Sequence, residues 1–487
     1  MRRKTRLPGR TEFVEQGDSL ISIDGCEGLE SRDEESQSHG AIGSKTESEA
    51  AAHEEGRTTP AAWEQSRALT TQLMEQVCHR DNLNRAYLRV KRNKGSAGID
   101  GMNIEQLALW LKDHKEKFIE SLLDGSYRPK PVRGVEIPKP DGGVRKLGIP
   151  TVVDRLVQQA MLQVLEPILD PTFSNSSYGF RPKRSAHQAL KQAQEYVREE
   201  RNIVVDIDLE KFFDRVNHDI LMARLARWIG DKRLLRIVRR FLQAGLMSNG
   251  VCAERREGTP QGGPLSPILA NLLLDDLDKE LEKRGHRFCR YADDCNIYVK
   301  TEEAGKRVMD SITQFIERKL KLKVNREKSA VAPGDERKFL GHRLLSGGRL
   351  GIAPKSLKRA KKKIREITKR NRGKSLEYIV TELNSFLQGW VVYYRHAAMK
   401  THLKSMDEWL RRKLRCYRLK QRKKSYSIVQ WLIQLGVPEQ RAWLAGKSSK
   451  GWWTLAGSPP VTEAMNNGWF EKLGLVNVTK RWETLQL

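Results

Sequence analysis

The sequence predicts an α+β fold followed by a helical C-terminal region, and three observations predict it. Between residues 119 and 345 short strand-like runs alternate with amphipathic helices. Two of those runs carry closely spaced aspartates, Asp206 with Asp208 and Asp293 with Asp294. From Pro354 onwards long basic helical runs take over, and residues 355–424 hold 23 Lys/Arg against 5 Asp/Glu.

Composition narrows the function. A net charge of +28 over 487 residues, with pI near 9.9, points to a polyanionic partner, above all nucleic acid. No apolar stretch reaches the roughly 18 residues of a membrane span, so none is expected. Met1-Arg2-Arg3-Lys4 is basic but leads into no apolar run, which argues against a secretory signal. Cys26, Cys78, Cys252, Cys289, Cys295 and Cys416 are scattered, without CxxC pairs or zinc spacing. They read as reduced thiols of a cytosolic protein.

Residues 1–60 hold 13 acids against 8 Lys/Arg and few aromatics, so a disordered leader is expected there. In the next segment, 61–118, Leu83–Val90 reads as an amphipathic helix ending at Lys94-Gly95. Ile137–Pro150 reads as a hairpin turning at Asp141-Gly142, with Lys139 and Arg145 on its two sides. Val157–Leu165, Ala186–Arg198 and Ile268–Lys283 are the clearest helices, and Ile203–Leu209 and Phe288–Val299 the clearest strands. Gly258–Pro267 packs three glycines and three prolines ahead of an apolar helix. Such a loop lets backbone approach a base pair closely. Residues 425–487 are turn-rich and hold six of the eleven tryptophans.

The acids suggest chemistry. Asp206 and Asp208 share one strand face by the two-residue period. Asp293 and Asp294 sit between β-favouring residues, which places them at a hairpin tip. Alone, that pair also suits a solvated turn. A strand acid beside two hairpin acids makes a three-carboxylate cup. In-line phosphoryl transfer with two Mg²⁺ ions uses few carboxylates together with substrate phosphates.

Asp208-Leu209-x-x-Phe212-Phe213-Asp214 and Tyr291-Ala292-Asp293-Asp294 resemble the first and third palm motifs of reverse transcriptases. The resemblance implies a right-hand polymerase, with fingers and palm over 119–345, and makes Asp208, Asp293 and Asp294 the catalytic metal ligands. In that family a bulky aromatic follows the catalytic Asp by five positions. This selects Asp208 over Asp206 and makes Phe213 the gate against ribonucleotides. Phe212 then reads as core, and Asp214 as an N-cap ahead of Arg215-Val216-Asn217. Gly258–Pro267 is similar to the family segment whose Gln, here Gln261, lies near the templating base. The resemblance also implies that Lys139 and Arg145 grip triphosphate oxygens and that Lys328 lies near the leaving pyrophosphate. Ser177–Pro182 and Ala186-His187 look like another segment of the family, in which His187 reads as structural.

A narrower resemblance spans about residues 70–475 and is to bacterial group II intron-encoded proteins of the endonuclease-lacking type. The segment 73–110, including Lys94–Gly101, looks like their N-terminal extension, so 61–118 is expected to extend the fingers. Leu383–Trp390 and Tyr393-Tyr394-Arg395 look like their maturase (X) or thumb domain, expected over 346–450. Gly451-Trp452-Trp453 and Gly468-Trp469-Phe470 resemble a short DNA-binding tail, 451–487. Nothing after Cys416 is Cys and nothing after His402 is His, so an HNH endonuclease is not expected and the DNA primer would be borrowed.

The implied activity is RNA-directed DNA synthesis joined to maturation. The protein would bind its intron RNA, assist splicing, and copy the intron at a DNA target from deoxynucleoside triphosphates with two Mg²⁺ ions. The implied setting is the bacterial cytoplasm, at the nucleoid when on target DNA, with no membrane and a homodimer left open. Candidate RNA contacts are Lys358, Arg359, Lys361, Lys362, Lys363, Arg411, Arg412, Lys413 and Arg415. Trp390, Tyr393 and Tyr394 read as core. Two alternatives compete: a host-adapted or defence reverse transcriptase without an intron, and a splicing cofactor with a relic site. The intact aspartate set argues against the second.

Overall fold

The computed structural model describes residues 70–138, 143–248, 251–253, 255 and 257–486. The expected leader, Lys139 and the Asp141-Gly142 turn lie outside the described residues. The chain forms two compact units, one of residues 70–172 with 213–273, the other of 173–212 with 274–486.

In the first unit, β1 (Val132–Pro138) and β2 (Val144–Ile149) are the expected hairpin arms, antiparallel with Ile137 opposite Arg145. With β4 (Leu246–Ser248) and β5 (Val251–Ala253) they form a four-stranded sheet in the order β2-β1-β4-β5. β4 joins β1 in parallel and pairs antiparallel with β5. The helix expected at 83–90 runs Arg80–Arg92, and that at 157–165 runs Val152–Leu169. Thr151 caps the latter by accepting from the Asp154 amide. One expectation fails here. Asp214 caps nothing: Phe212–Asp214 forms a 3₁₀ turn, and Asn217 instead accepts from the Ile220 amide to start the helix His218–Trp228. The extra turn consumes the residues that would have led directly into the helix.

In the second unit, β3 is Ile203–Ile207, β6 Arg287–Tyr291, β7 Asp294–Val299 and β8 Ala330–Pro333. These four strands form an antiparallel sheet in the order β6-β7-β3-β8. β3 ends two residues before its expected limit, and Leu209 makes an isolated bridge to Val324 instead. Ala186–Arg198 is helical over the expected span because Ser185 and Gln188 form a reciprocal capping box. Gly305, on the helix Glu302–Phe315, lets that helix lie close on the sheet. A Cβ there would stand 2.5 Å from Val331 Cγ1.

β9 (His342–Leu345) and β10 (Arg349–Ile352) form a hairpin leading into the helices Pro354–Ile367, Leu376–Tyr393 and Lys400–Arg422. One apolar core runs from Tyr196 on the helix Ala186–Arg198 and Tyr298 on β7 through Trp390, Tyr393 and Tyr394 to Phe470 and Val478. Trp390, Tyr393 and Tyr394 are buried, as their helical spacing predicts. The described part of the tail, 451–486, shares this core. Buried Asp407 accepts from the Val478 and Thr479 amides, both at 3.0 Å, and from Thr479 Oγ1 at 2.6 Å. Trp482 Nε1 donates to the Arg395 carbonyl. Among the described residues no helix is long and apolar enough to cross a membrane.

Candidate active site

β3 and β7 pair as far as Ile207 opposite Cys295, and Asp208 and Asp294 are the next residues on the two segments beyond that pair. Tyr291 pairs with Asp294, which leaves Ala292 and Asp293 as a two-residue hairpin turn. Ala292 has φ of 57°, the left-handed first position that tight hairpins favour. Asp293 is thus the acid at the tip and is exposed, whereas Asp294 opens β7 and is half-buried. Asp208 is fixed through its backbone: its amide donates to Ser329 Oγ, and its carbonyl accepts from the Asn325 amide.

The electrostatics show crowding of like charge. Burial, then the carboxylates of Asp206 and Asp293, and last that of Asp208, push the Asp294 carboxyl well above the ordinary range. The ammonium of exposed Lys338 works the other way. Asp206 is paired with Arg337, whose Nε donates to its Oδ2 at 3.1 Å. Burial raises the Asp206 carboxyl and the Arg337 guanidinium lowers it.

Among the described residues no three acids, histidines or cysteines converge tightly enough to hold an ion unaided. The donor set nevertheless suits a hard divalent cation. Its ligands are oxygens only, their mutual repulsion is what a cation relieves, and Mg²⁺ completes its shell with water and substrate phosphates.

The turn rests on two residues that its motif does not include. Arg290, on β6, is fully buried and pairs with fully buried Asp278. It also donates from Nη1 to the Ala292 carbonyl at 2.9 Å. The segment around Ser177 runs beside β6: the Tyr178 amide donates to the Arg290 carbonyl, and the Arg290 amide to the Ser176 carbonyl. Gly179 then lies against the turn, where a Cβ would stand 2.2 Å from the Ala292 nitrogen. This accounts for the glycine in Ser177-Tyr178-Gly179-Phe180. His187 is bonded too, through Nε2 to the Tyr393 carbonyl at 2.8 Å, in keeping with a structural role.

In the first unit, the loop at 258–263 is bound to the stretch Phe213–Val216 and to β2. The Thr259 amide donates to the Phe213 carbonyl at 2.7 Å. Gly258, at φ 87°, approaches the Phe213 and Asp214 carbonyls so closely that a Cβ would lie 2.9 Å from both. His218 Nε2–H donates to the Gly258 carbonyl at 2.6 Å, and burial lowers its pKa, keeping the ring neutral. The Gly148 amide donates to the Gln261 carbonyl. Phe213, Gln261 and Arg145 are each half-buried, while Phe212 is core. Lys328, in the second unit, is exposed in the turn that follows Asn325, and its carbonyl accepts from Arg337.

The candidate RNA contacts separate into two groups. On Pro354–Ile367, Lys358, Lys362 and Lys363 are exposed, and Arg359 and Lys361 half-buried. On Lys400–Arg422, Arg411, Arg412, Lys413 and Arg415 are all half-buried or buried among their neighbours. Arg412 donates to the Trp453 carbonyl and stacks 4.5 Å from that indole. Arg415 donates to the Met465 carbonyl at 2.9 Å and covers Phe470. Both arginines therefore bind the C-terminal segment, a use that charge counting does not reveal.

A strand acid beside a two-acid hairpin on an antiparallel sheet defines a polymerase palm. Residues 137–344 match the family described as reverse transcriptase (RNA-dependent DNA polymerase), and residues 357–433 match the group II intron maturase-specific domain. The chain belongs to the group II intron reverse transcriptase and maturase family. Protein YkfC of Escherichia coli is 34% identical over 287 residues, covering 51% of this chain and 75% of YkfC. The group II intron-encoded protein LtrA of Lactococcus lactis is 30% identical, covering 53% of this chain and 54% of LtrA. A putative COX1/OXI3 intron 1 protein of Saccharomyces cerevisiae is 34% identical over 42% of this chain and 24% of its own length. The chain thus spans about half of LtrA and less of the yeast protein. Among solved structures, a chain of a partial Cas6-RT-Cas1–Cas2 complex is 27% identical. The match covers 50% of this chain and 42% of that one, at a TM-score of 0.34.

Proposed function

We propose that this protein copies its own group II intron RNA into DNA at a DNA target site, and that it binds the same RNA to promote splicing. The observation that carries the first half is the placing of Asp208 and Asp294 just beyond the end of the β3–β7 pairing and beside the Asp293 turn, where burial and the neighbouring carboxylates raise the Asp294 carboxyl. In this reading Asp208, Asp293 and Asp294 hold two Mg²⁺ ions. When bound, the ions activate the primer 3′-oxygen and neutralise the triphosphate. Phe213 occupies the space a 2′-hydroxyl would need, so deoxynucleotides are accepted. Gln261 lies by the templating base, and Lys139, Arg145 and Lys328 attract triphosphate and pyrophosphate oxygens. The fingers, palm, thumb and tail boundaries follow the divisions expected from sequence. Action at the nucleoid follows from the DNA target.

The test is primer extension on an RNA template with deoxynucleotides. Extension is expected with Mg²⁺, and it should vanish in the Asp293→Ala/Asp294→Ala variant. Undiminished extension by that variant would overturn the assignment of the acids. The second half rests on the match of 357–433 to the maturase-specific domain. It predicts faster splicing of the intron RNA flanking the gene when the protein is added.

A further inference from the structure

Arg290 and Asp278 form an ion pair in which both side chains are at 0% exposure. The geometry is bidentate: Arg290 Nε lies 2.7 Å from Asp278 Oδ1, and Nη2 lies 2.5 Å from Oδ2. Nη2 also donates to Ser177 Oγ at 2.8 Å, and Nη1 to the Ala292 carbonyl at 2.9 Å. Two charges are thus withdrawn from water, one on a helix and one on a strand whose residues Phe288 and Cys289 are apolar core.

Fold stability is a poor reason for such a pair. Desolvation offsets much of its attraction, and apolar replacements of similar volume often match it. An apolar pair cannot, however, donate to the Ala292 carbonyl. Ala292 holds a left-handed φ of 57°, which costs a residue with a Cβ, and it immediately precedes Asp293. Asp278 orients the guanidinium, Ser177 secures its far edge, and Gly179 covers the other side of the turn. The hydrogen bond to Ala292 is therefore aimed by groups that cannot themselves reorient.

We propose that Arg290 and Asp278 are positioning residues that hold the left-handed turn and so place Asp293 and Asp294 for the reaction. This rests on the polymerase reading above. Neither side chain touches substrate; Arg290 acts through the Ala292 carbonyl, and Asp278 acts through Arg290.

The test uses the full chain and two variants. R290M/D278L replaces the pair with apolar side chains of similar bulk. R290K keeps the charge, but a single ammonium cannot span both Asp278 oxygens and the Ala292 carbonyl. Both are expected to melt near the wild-type temperature. For the double variant kcat in primer extension should fall on the order of 10²-fold, the cost of a misplaced reacting group, with the deoxynucleotide KM little changed. R290K should show a smaller fall and a higher metal concentration for half-maximal rate. Amide hydrogen exchange across 291–295 should quicken in both without any substrate present. Native kcat and native exchange in either folded variant would overturn the proposal. So would failure of both variants to fold, which would assign the pair to stability. If the wild type extends no primer, the polymerase reading fails, and the exchange measurement still decides whether the pair holds the turn.

Discussion

The catalytic hairpin and the C-terminal helices handle charge in opposite ways. At the hairpin, burial first and then the neighbouring carboxylates of Asp206, Asp293 and Asp208 raise the Asp294 carboxyl well above the ordinary range. On Lys400–Arg422 several cations meet aromatic faces and carbonyls of the chain itself: Arg412 meets Trp453, Arg415 meets Phe470 and Met465, and Arg418 and Arg422 lie over Trp431. The difference shows where a partner is needed. Crowded like charge is costly until a cation or substrate arrives, whereas an arginine on an indole already has a local partner. Function is therefore to be sought where charge is left unbalanced, not where it is most abundant.

The sharpest way to break this contrast lies within the site, between two aspartates on one strand face. Asp208→Asn removes a crowded acid and should lower primer extension on the order of 10³-fold, several kcal/mol of transition-state stabilisation. Asp206→Asn removes an acid already paired with Arg337 and partly exposed to solvent, so the rate should stay within about tenfold of wild type. Steady-state rates of both variants on one RNA template decide it. Equal losses would mean that the Arg337 pair is no mark of a bystander.

Legibility followed the same division. The aspartate spacing, the apolar periodicity over Ala186–Arg198, and the alternation along β3 are local patterns. Each gave its element or side chain a position close to the observed one. The supports of the turn were not legible. Arg290 and Asp278 stand twelve positions apart on a strand and a helix, and only tertiary packing brings them together. Asp214 misled because both it and Asn217 are good caps, and nothing local signals that a 3₁₀ turn intervenes. The basic helices misled more broadly. Arg412 and Arg415 can be counted from sequence, but Trp453 and Met465, their partners, come about forty to fifty residues later.

A smaller effect separates stability from function where the palm sheet meets the helical core. His342 is 1% exposed, its Nδ1–H donates to the Leu340 carbonyl at 2.9 Å, and burial lowers its pKa to about 4. Unfolded, the same imidazole titrates near 6.5. Below that value the unfolded chain takes up a proton that the folded chain refuses, so stability present at neutral pH is lost as pH falls from 6.5 towards 4. About 1 kcal/mol should go between about pH 7 and 5.5. His342→Leu should remove that part of the pH dependence. Urea unfolding of the two proteins at a series of pH values would expose it, and parallel curves would show that His342 does not contribute.

The finest discrimination is between two kinds of cation on the C-terminal helices. Lys362 and Lys363 are exposed on Pro354–Ile367, so their charge faces solvent and is available to phosphate. Replacing both with Ala should weaken RNA binding evenly across sequences. It should also lower the slope of log affinity against log salt by roughly 2, one for each phosphate no longer neutralised. The melting temperature should hardly move, because exposed lysines contribute little to the fold. Arg412→Ala with Arg415→Ala should do the reverse. It removes the bonds to Trp453 and Met465 and uncovers Trp453 and Phe470, so the melting temperature should fall while the salt slope changes by less than about 1. Filter binding at several salt concentrations, paired with thermal unfolding, reads both axes. If the arginine pair altered the slope as strongly as the lysine pair, local partners would be no guide to which cations meet RNA, and charge count alone would again be the better predictor.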